Sequence, residues 1–105
     1  MTRGEVSAWL NERHPAPPSD LATKLAECVE SAPDSIFGGD SVAAVTGALG
    51  VWLLQSAVHD RKVAYDTAMD LLAGDAFVTY AFEAASEEGT DVTGLAHQLL
   101  TAVRA

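Results

Sequence analysis

The stretch SVAAVTGALGVWLLQSAV, residues 41–58, decides how this chain is read. It carries no charge. On a helical wheel Val42, Val45, Leu49, Trp52 and Ser56 form one seam, and Ala43, Gly47, Gly50, Leu54 and Ala57 form the opposite one. A helix that is apolar on every side is either walled in by protein or immersed in lipid. A bilayer span needs about twenty strongly apolar residues. Here two glycines, Thr46, Gln55 and Ser56 dilute a run already at the short end, so a buried central helix is expected and no membrane span. The small residues of the second seam let another backbone approach closely.

Working towards the N-terminus, PDSIFGGD (33–40) reads as a loop, with Asp40 or Ser41 as the cap of the central helix. Before it, Leu21, Leu25, Cys28, Val29 and Ala32 make an i, i+4, i+7, i+8, i+11 stripe on a helix opened by Ser19 and Asp20 and ended by Pro33. Pro15, Pro17 and Pro18 form a stiff connector that stops a first helix over about 2–13. In that helix Thr2 and Glu5 have capping-box spacing, and Val6, Trp9 and Leu10 share a face.

Towards the C-terminus, residues 63–73 place Ala64, Tyr65, Ala68, Met69, Leu71 and Leu72 on one face, with Asp66 and Asp70 opposite. In residues 75–88 the stripe reverses: Asp75, Thr79, Glu83 and Ser86 take the side that was apolar before, and Phe77, Val78, Ala81, Phe82, Ala84 and Ala85 face the other way. Either the helix breaks at Gly74, with Asp75 as a new cap, or one long helix serves two partners. Gly89 ends this segment. A last helix, capped by Thr90 or Asp91, carries Val92, Leu95, Ala96, Leu99, Leu100 and Val103 on one stripe.

The whole, residues 1–105, is one domain's worth of sequence. Nearly half of it is hydrophobic (49%) and 20% charged, which excludes a disordered chain. Six Lys and Arg against fifteen Asp and Glu give a formal charge of −9, which argues against nucleic acid and anionic lipid as partners. A single cysteine excludes a disulfide within the chain and a multi-cysteine zinc module. The first fifteen residues hold no apolar run of signal-peptide length, so a cytoplasmic location is expected.

Candidate chemistry is sparse. Cys28 lies on an apolar stripe, where a thiol behaves as a small hydrophobe. His59, Asp66 and Asp70 fall on one stripe at i, i+7, i+11, and an imidazole with two carboxylates is a plausible ligand set for a divalent cation. The alternative is a solvated polar face with Asp66 paired to Lys62 at i, i+4. His14 and His97 read as surface residues. Trp9, Trp52, Phe77, Tyr80 and Phe82 are either core or the lining of a pocket for a small apolar ligand. Neither a phosphate-binding glycine motif nor a serine nucleophile elbow occurs.

Two segments resemble known families. LLAGDAFVTYAFEAAS (71–86) resembles a helix of the trans-isoprenyl diphosphate synthases, whose members often read L-A-G-D-A, two apolar residues and an apolar A-F-E end. His59-Asp60 is similar to the start of the H-D-D of that family's first aspartate-rich motif. No D-D-x-x-D follows, and those aspartates are the ones that hold magnesium, so the resemblance implies a similar helix and not prenyl transfer. GGDSVAAVTGALG (38–50) resembles the G-G-G-S-x-A-A segment of the helical-bundle cyclodeaminase family, with Asp40 where that family has glycine.

The expected fold is all-α: five or six helices in a compact bundle around residues 41–58. A small domain struggles to cover a helix that is apolar all round. A homodimer is therefore expected, through the Ala43/Gly47/Gly50/Ala57 seam or through Phe77, Phe82 and Ala84. The expected function is non-catalytic, with no cofactor: association with itself or with a helix of another protein. The alternative is a ligand- or metal-binding protein on an isoprenoid-synthase-like scaffold, using His59, Asp66 and Asp70.

Overall fold

The computed structural model describes residues 1–59 and 64–104. Among them the chain forms five α-helices and one short 3-10 helix, and no strand. The helices are α1 (Arg3–Asn11), α2 (Ser19–Ser31), α3 (Val42–His59), α4 (Ala64–Glu88) and α5 (Val92–Arg104), with the 3-10 helix at Asp34–Gly38.

Local chemistry sets most boundaries. The Thr2 hydroxyl accepts from the Glu5 amide at 3.1 Å while the Glu5 carboxylate accepts from the Thr2 amide at 3.2 Å, closing the capping box of α1. Ser41 Oγ accepts from the Ala44 amide at 3.1 Å and caps α3. Pro18 precedes α2 and Pro33 follows it, each in an extended conformation that a helix interior does not tolerate. Gly89, with φ of +70°, supplies the left-handed residue that ends α4. Residues 34–38, expected to be loop, wind into a 3-10 turn because Phe37 is drawn into the core beside Ile36.

The α3–α4 pair is the frame of the molecule. At about 1.5 Å per residue, the 25 residues of α4 nearly match the longest dimension of 39 Å. Val45, Leu49 and Leu53 of α3 are buried with Phe77 of α4, Val6 of α1, and Leu25, Cys28 and Val29 of α2. The central helix is not enclosed on every side, however. Ala44 and Val58 are exposed, and Trp52 and Gln55 are half-buried along an open groove beside α5. No helix among the described residues is long and apolar enough to cross a membrane.

The small-residue seam of α3 is filled from within the chain, which overturns its assignment as a dimer surface. A Cβ on Gly50 would meet Val78 and the Gly74 carbonyl, and one on Gly47 would meet Leu99 and Ala81. Ala43 and Ala57 are buried as well. Of the other expected dimer surface, Phe77 and Ala84 are fully buried and Phe82 half-buried. The physical reason is the hairpin: α4 folds back along α3 and takes the close approach that the seam offers.

Gly74 breaks nothing. Helix α4 runs through it, and its buried face reads Asp70, Ala73, Gly74, Phe77, Ala81, Ala84 and Ala85. The apolar face expected for residues 63–73 therefore points the wrong way: Tyr65, Leu71 and Leu72 are exposed, and Asp70 is inside. The C-terminal half of α4 buries more apolar surface, so it fixes the rotation of the whole helix. Helix α5 also departs from expectation. Leu95 and Leu99 are half-buried, but Val92, Leu100 and Val103 remain exposed and no α5 residue is fully buried.

Candidate functional site

The end of the α3–α4 hairpin combines two features that oppose ordinary helix patterning. Its inward side is polar. Asp70 is 1% exposed, and its Oδ1 lies 2.7 Å from Lys24 Nζ, reaching across from α2. The hydrogen bond to Asp70 holds the Lys24 ammonium above its ordinary pKa, against an opposing pull from burial. A buried carboxylate requires a partner of this kind to remain charged. Around the pair, Asp20, Glu27 and Asp66 line a shallow cleft with Tyr65 and Met69.

The outward side is apolar. Ala64, Tyr65, Ala68, Leu71 and Leu72 lie at i, i+1, i+4, i+7 and i+8 on α4 and are all exposed. Tyr65 is 67% exposed, and Val58, in the last turn of α3, 74%. Leu54 packs on Gly74, and Val58 lies one turn beyond Leu54 on α3. The Gln55 side chain donates to the Ala102 carbonyl at 3.0 Å, pinning the end of α5 beside the same turn of α3. Leu100 and Val103 of α5 are also exposed. None of these apolar positions is charged. Contiguous apolar patches on a monomer reach a few hundred Å² and are often functional.

Of the three residues expected to hold a metal, Asp66 is exposed and Asp70 is buried one turn on, already bonded to a cation. The side chain of His59, and Lys62 altogether, lie outside the described residues. Among the described residues, no group of three or more His, Cys, Asp or Glu side chains is placed to hold a metal ion. Cys28 is buried, as its stripe implies. His14 and His97 are exposed.

A second cluster, not anticipated from the sequence, ties α1 to the far end of α4. The Arg13 side chain is 9% exposed; its Nη1 donates to Glu83 Oε1 at 3.0 Å and Glu87 Oε2 at 2.7 Å. Its guanidinium lies 3.7 Å from the Trp9 ring centroid. Trp9 Nε1 donates to Glu87 at 3.3 Å, and the Trp9 ring meets Tyr80 edge-on at 6.0 Å. Burial pulls the Arg13 pKa down, but the two glutamates outweigh it and the net shift is upward. The hydrogen bond from Arg13 holds Glu87 below the usual carboxylate range. The available signal was the i, i+4 pair Glu83 and Glu87, two like charges that need a cation between them. This cluster fastens helices together, and every strong hydrogen bond in it is made within the chain.

Comparison of the chain with protein-family models, with curated proteins and with solved structures found no match.

Proposed function

We propose that the protein is a non-catalytic association module that pairs with a second copy of itself through the outward face of the α3–α4 hairpin end. One observation carries the reading: an apolar stripe of helical spacing, Ala64, Tyr65, Ala68, Leu71 and Leu72, lies on the outside of α4 while the carboxylate of Asp70 lies within.

The charge distribution supports a second copy as the occupant. Two molecules of net charge −9 repel, and they meet at least cost where apolar side chains lie together, with Asp75 at the far edge of the stripe. An interface of standard size buries about 800 Å² on each partner. The α4 stripe, with the exposed Val58 of α3, supplies the apolar centre of such a contact. In a two-fold pairing the same patch serves both chains, so the hairpin ends would stack into a four-helix contact.

Sedimentation velocity across a wide concentration range tests the reading. Dimer is expected by about 100 μM, a concentration at which even modest affinities near −6 kcal/mol show. The double variant Tyr65→Glu, Leu72→Glu is expected to be monomeric with unchanged helicity. A wild-type chain still monomeric at that concentration, or a double variant that still dimerises, overturns the proposal.

A further inference from the structure

Away from the hairpin end, α1, the proline-containing connector and α2 enclose a cleft of about 210 Å³. An apolar cavity of about 150 Å³ is enough to hold a benzene ring. Leu10 and Leu25 supply its apolar walls, Pro17, Ala22 and Ala26 border it, and Tyr80 of α4 also lines it. The prolines restrict the connector, so the cleft is largely formed before anything enters it.

Its electrostatics select the occupant. Arg13 lines the cleft, but its charge is met by Glu83 and Glu87, which carry one negative charge more than it neutralises. An anion is therefore repelled. A cation finds no carboxylate among the lining residues. The Tyr80 hydroxyl makes no hydrogen bond with the described residues, and burial pushes its pKa up, so it remains a neutral donor and acceptor across the physiological range. Ser7 and Asn11 add polar atoms to the lining.

We propose that this cleft is a binding site for a small neutral molecule of one or two rings carrying a single hydrogen-bonding group, its ring against Leu10 and Leu25 and its polar atom on the Tyr80 hydroxyl. The site shares no residue with the pairing face, so the two proposals stand or fall separately.

Titration of the labelled protein with phenol and with benzene, followed by amide chemical shifts, tests it. Saturable shifts centred on Leu10, Leu25, Ala26 and Tyr80 are expected, with phenol binding about fivefold more tightly than benzene, as one hydrogen bond allows. Tyr80→Phe keeps the ring that meets Trp9 and is expected to erase the preference for phenol. Ala26→Trp, at an exposed position bordering the cleft, is expected to block both ligands with helicity unchanged. Absence of saturable shifts up to about 20 mM phenol overturns the site. So do shifts that survive Ala26→Trp, or a phenol preference that survives Tyr80→Phe.

Discussion

A Cβ on Gly50 would lie 3.1 Å from the carbonyl oxygen of Gly74, so α3 and α4 meet there with no side chain between their backbones. The same Cβ would stand 2.7 Å from Val78 Cγ2. Everything else in the fold is arranged around this crossing, since it sets the spacing of the two longest helices.

Gly50→Ala is expected to destabilise the protein by about 1–3 kcal/mol, because overpacking against a backbone oxygen outweighs the helix propensity gained. Gly4→Ala is the contrasting change. Its Cβ would come no closer than 3.9 Å to Thr2 Oγ1, and a gain of up to about 1 kcal/mol is expected. Urea unfolding of the two variants checks the opposite signs.

Removing the cation from Asp70 is expected to be costly. Lys24→Met removes the ion pair to a carboxylate that is 1% exposed, at about 2–4 kcal/mol, reduced from the fully buried case because Lys24 is 26% exposed. Lys24→Met with Asp70→Leu is expected to recover most of that loss. The alkaline limb has a definite sign. The Lys24 pKa is raised in the folded state, so its contribution is complete below the unfolded value of about 10.4 and fades as pH rises through the higher folded value. Thermal midpoints between about pH 9 and 12, in wild type and Lys24→Met, check it.

Acid acts on the opposite end of α4. The Glu87 pKa is lowered, first by the hydrogen bond from Arg13. Its contribution is therefore present above the unfolded carboxylate value of about 4.3 and is lost as pH falls through the lower folded value. Glu87→Gln is expected to flatten the acid limb of a stability profile measured between about pH 5 and 2. An unchanged limb would assign acid sensitivity to other carboxylates.

Leu72 and Phe77 separate the two possible rotations of α4. Phe77→Ala is expected to cost about 3–5 kcal/mol, since Phe77 is fully buried. Leu72→Ala, at a position 48% exposed, is expected to cost under about 1 kcal/mol in the monomer. Chemical unfolding at low protein concentration, where pairing does not contribute, makes the comparison.

Several elements could be read without coordinates because their signals are local. The Thr2–Glu5 box, Ser41 before the central helix, the prolines at either end of α2 and Gly89 after α4 each act within a few residues. The stripe of α2 was legible for the same reason: Leu25, Cys28, Val29 and Ala32 leave only one face to bury. The candidate site was half legible. Asp66 and Asp70 share a stripe in the sequence, yet Asp66 is exposed and Asp70 alone turns inward, while the apolar residues expected to be buried beside them are mostly exposed. The Arg13 cluster was missed because Arg13 meets Glu83 and Glu87 across 70 and 74 residues of chain.

The sequence by itself determined that this chain is helical, where most of its helices are capped, and that its central helix invites a close neighbour, but not that α4 continues through Gly74. Tertiary structure alone decided which neighbour fills that seam and which face of α4 turns inward. Periodicity defines a helix's faces relative to one another. The direction of burial depends on the sum over the whole helix, and on a lysine of α2 that makes an interior aspartate tolerable.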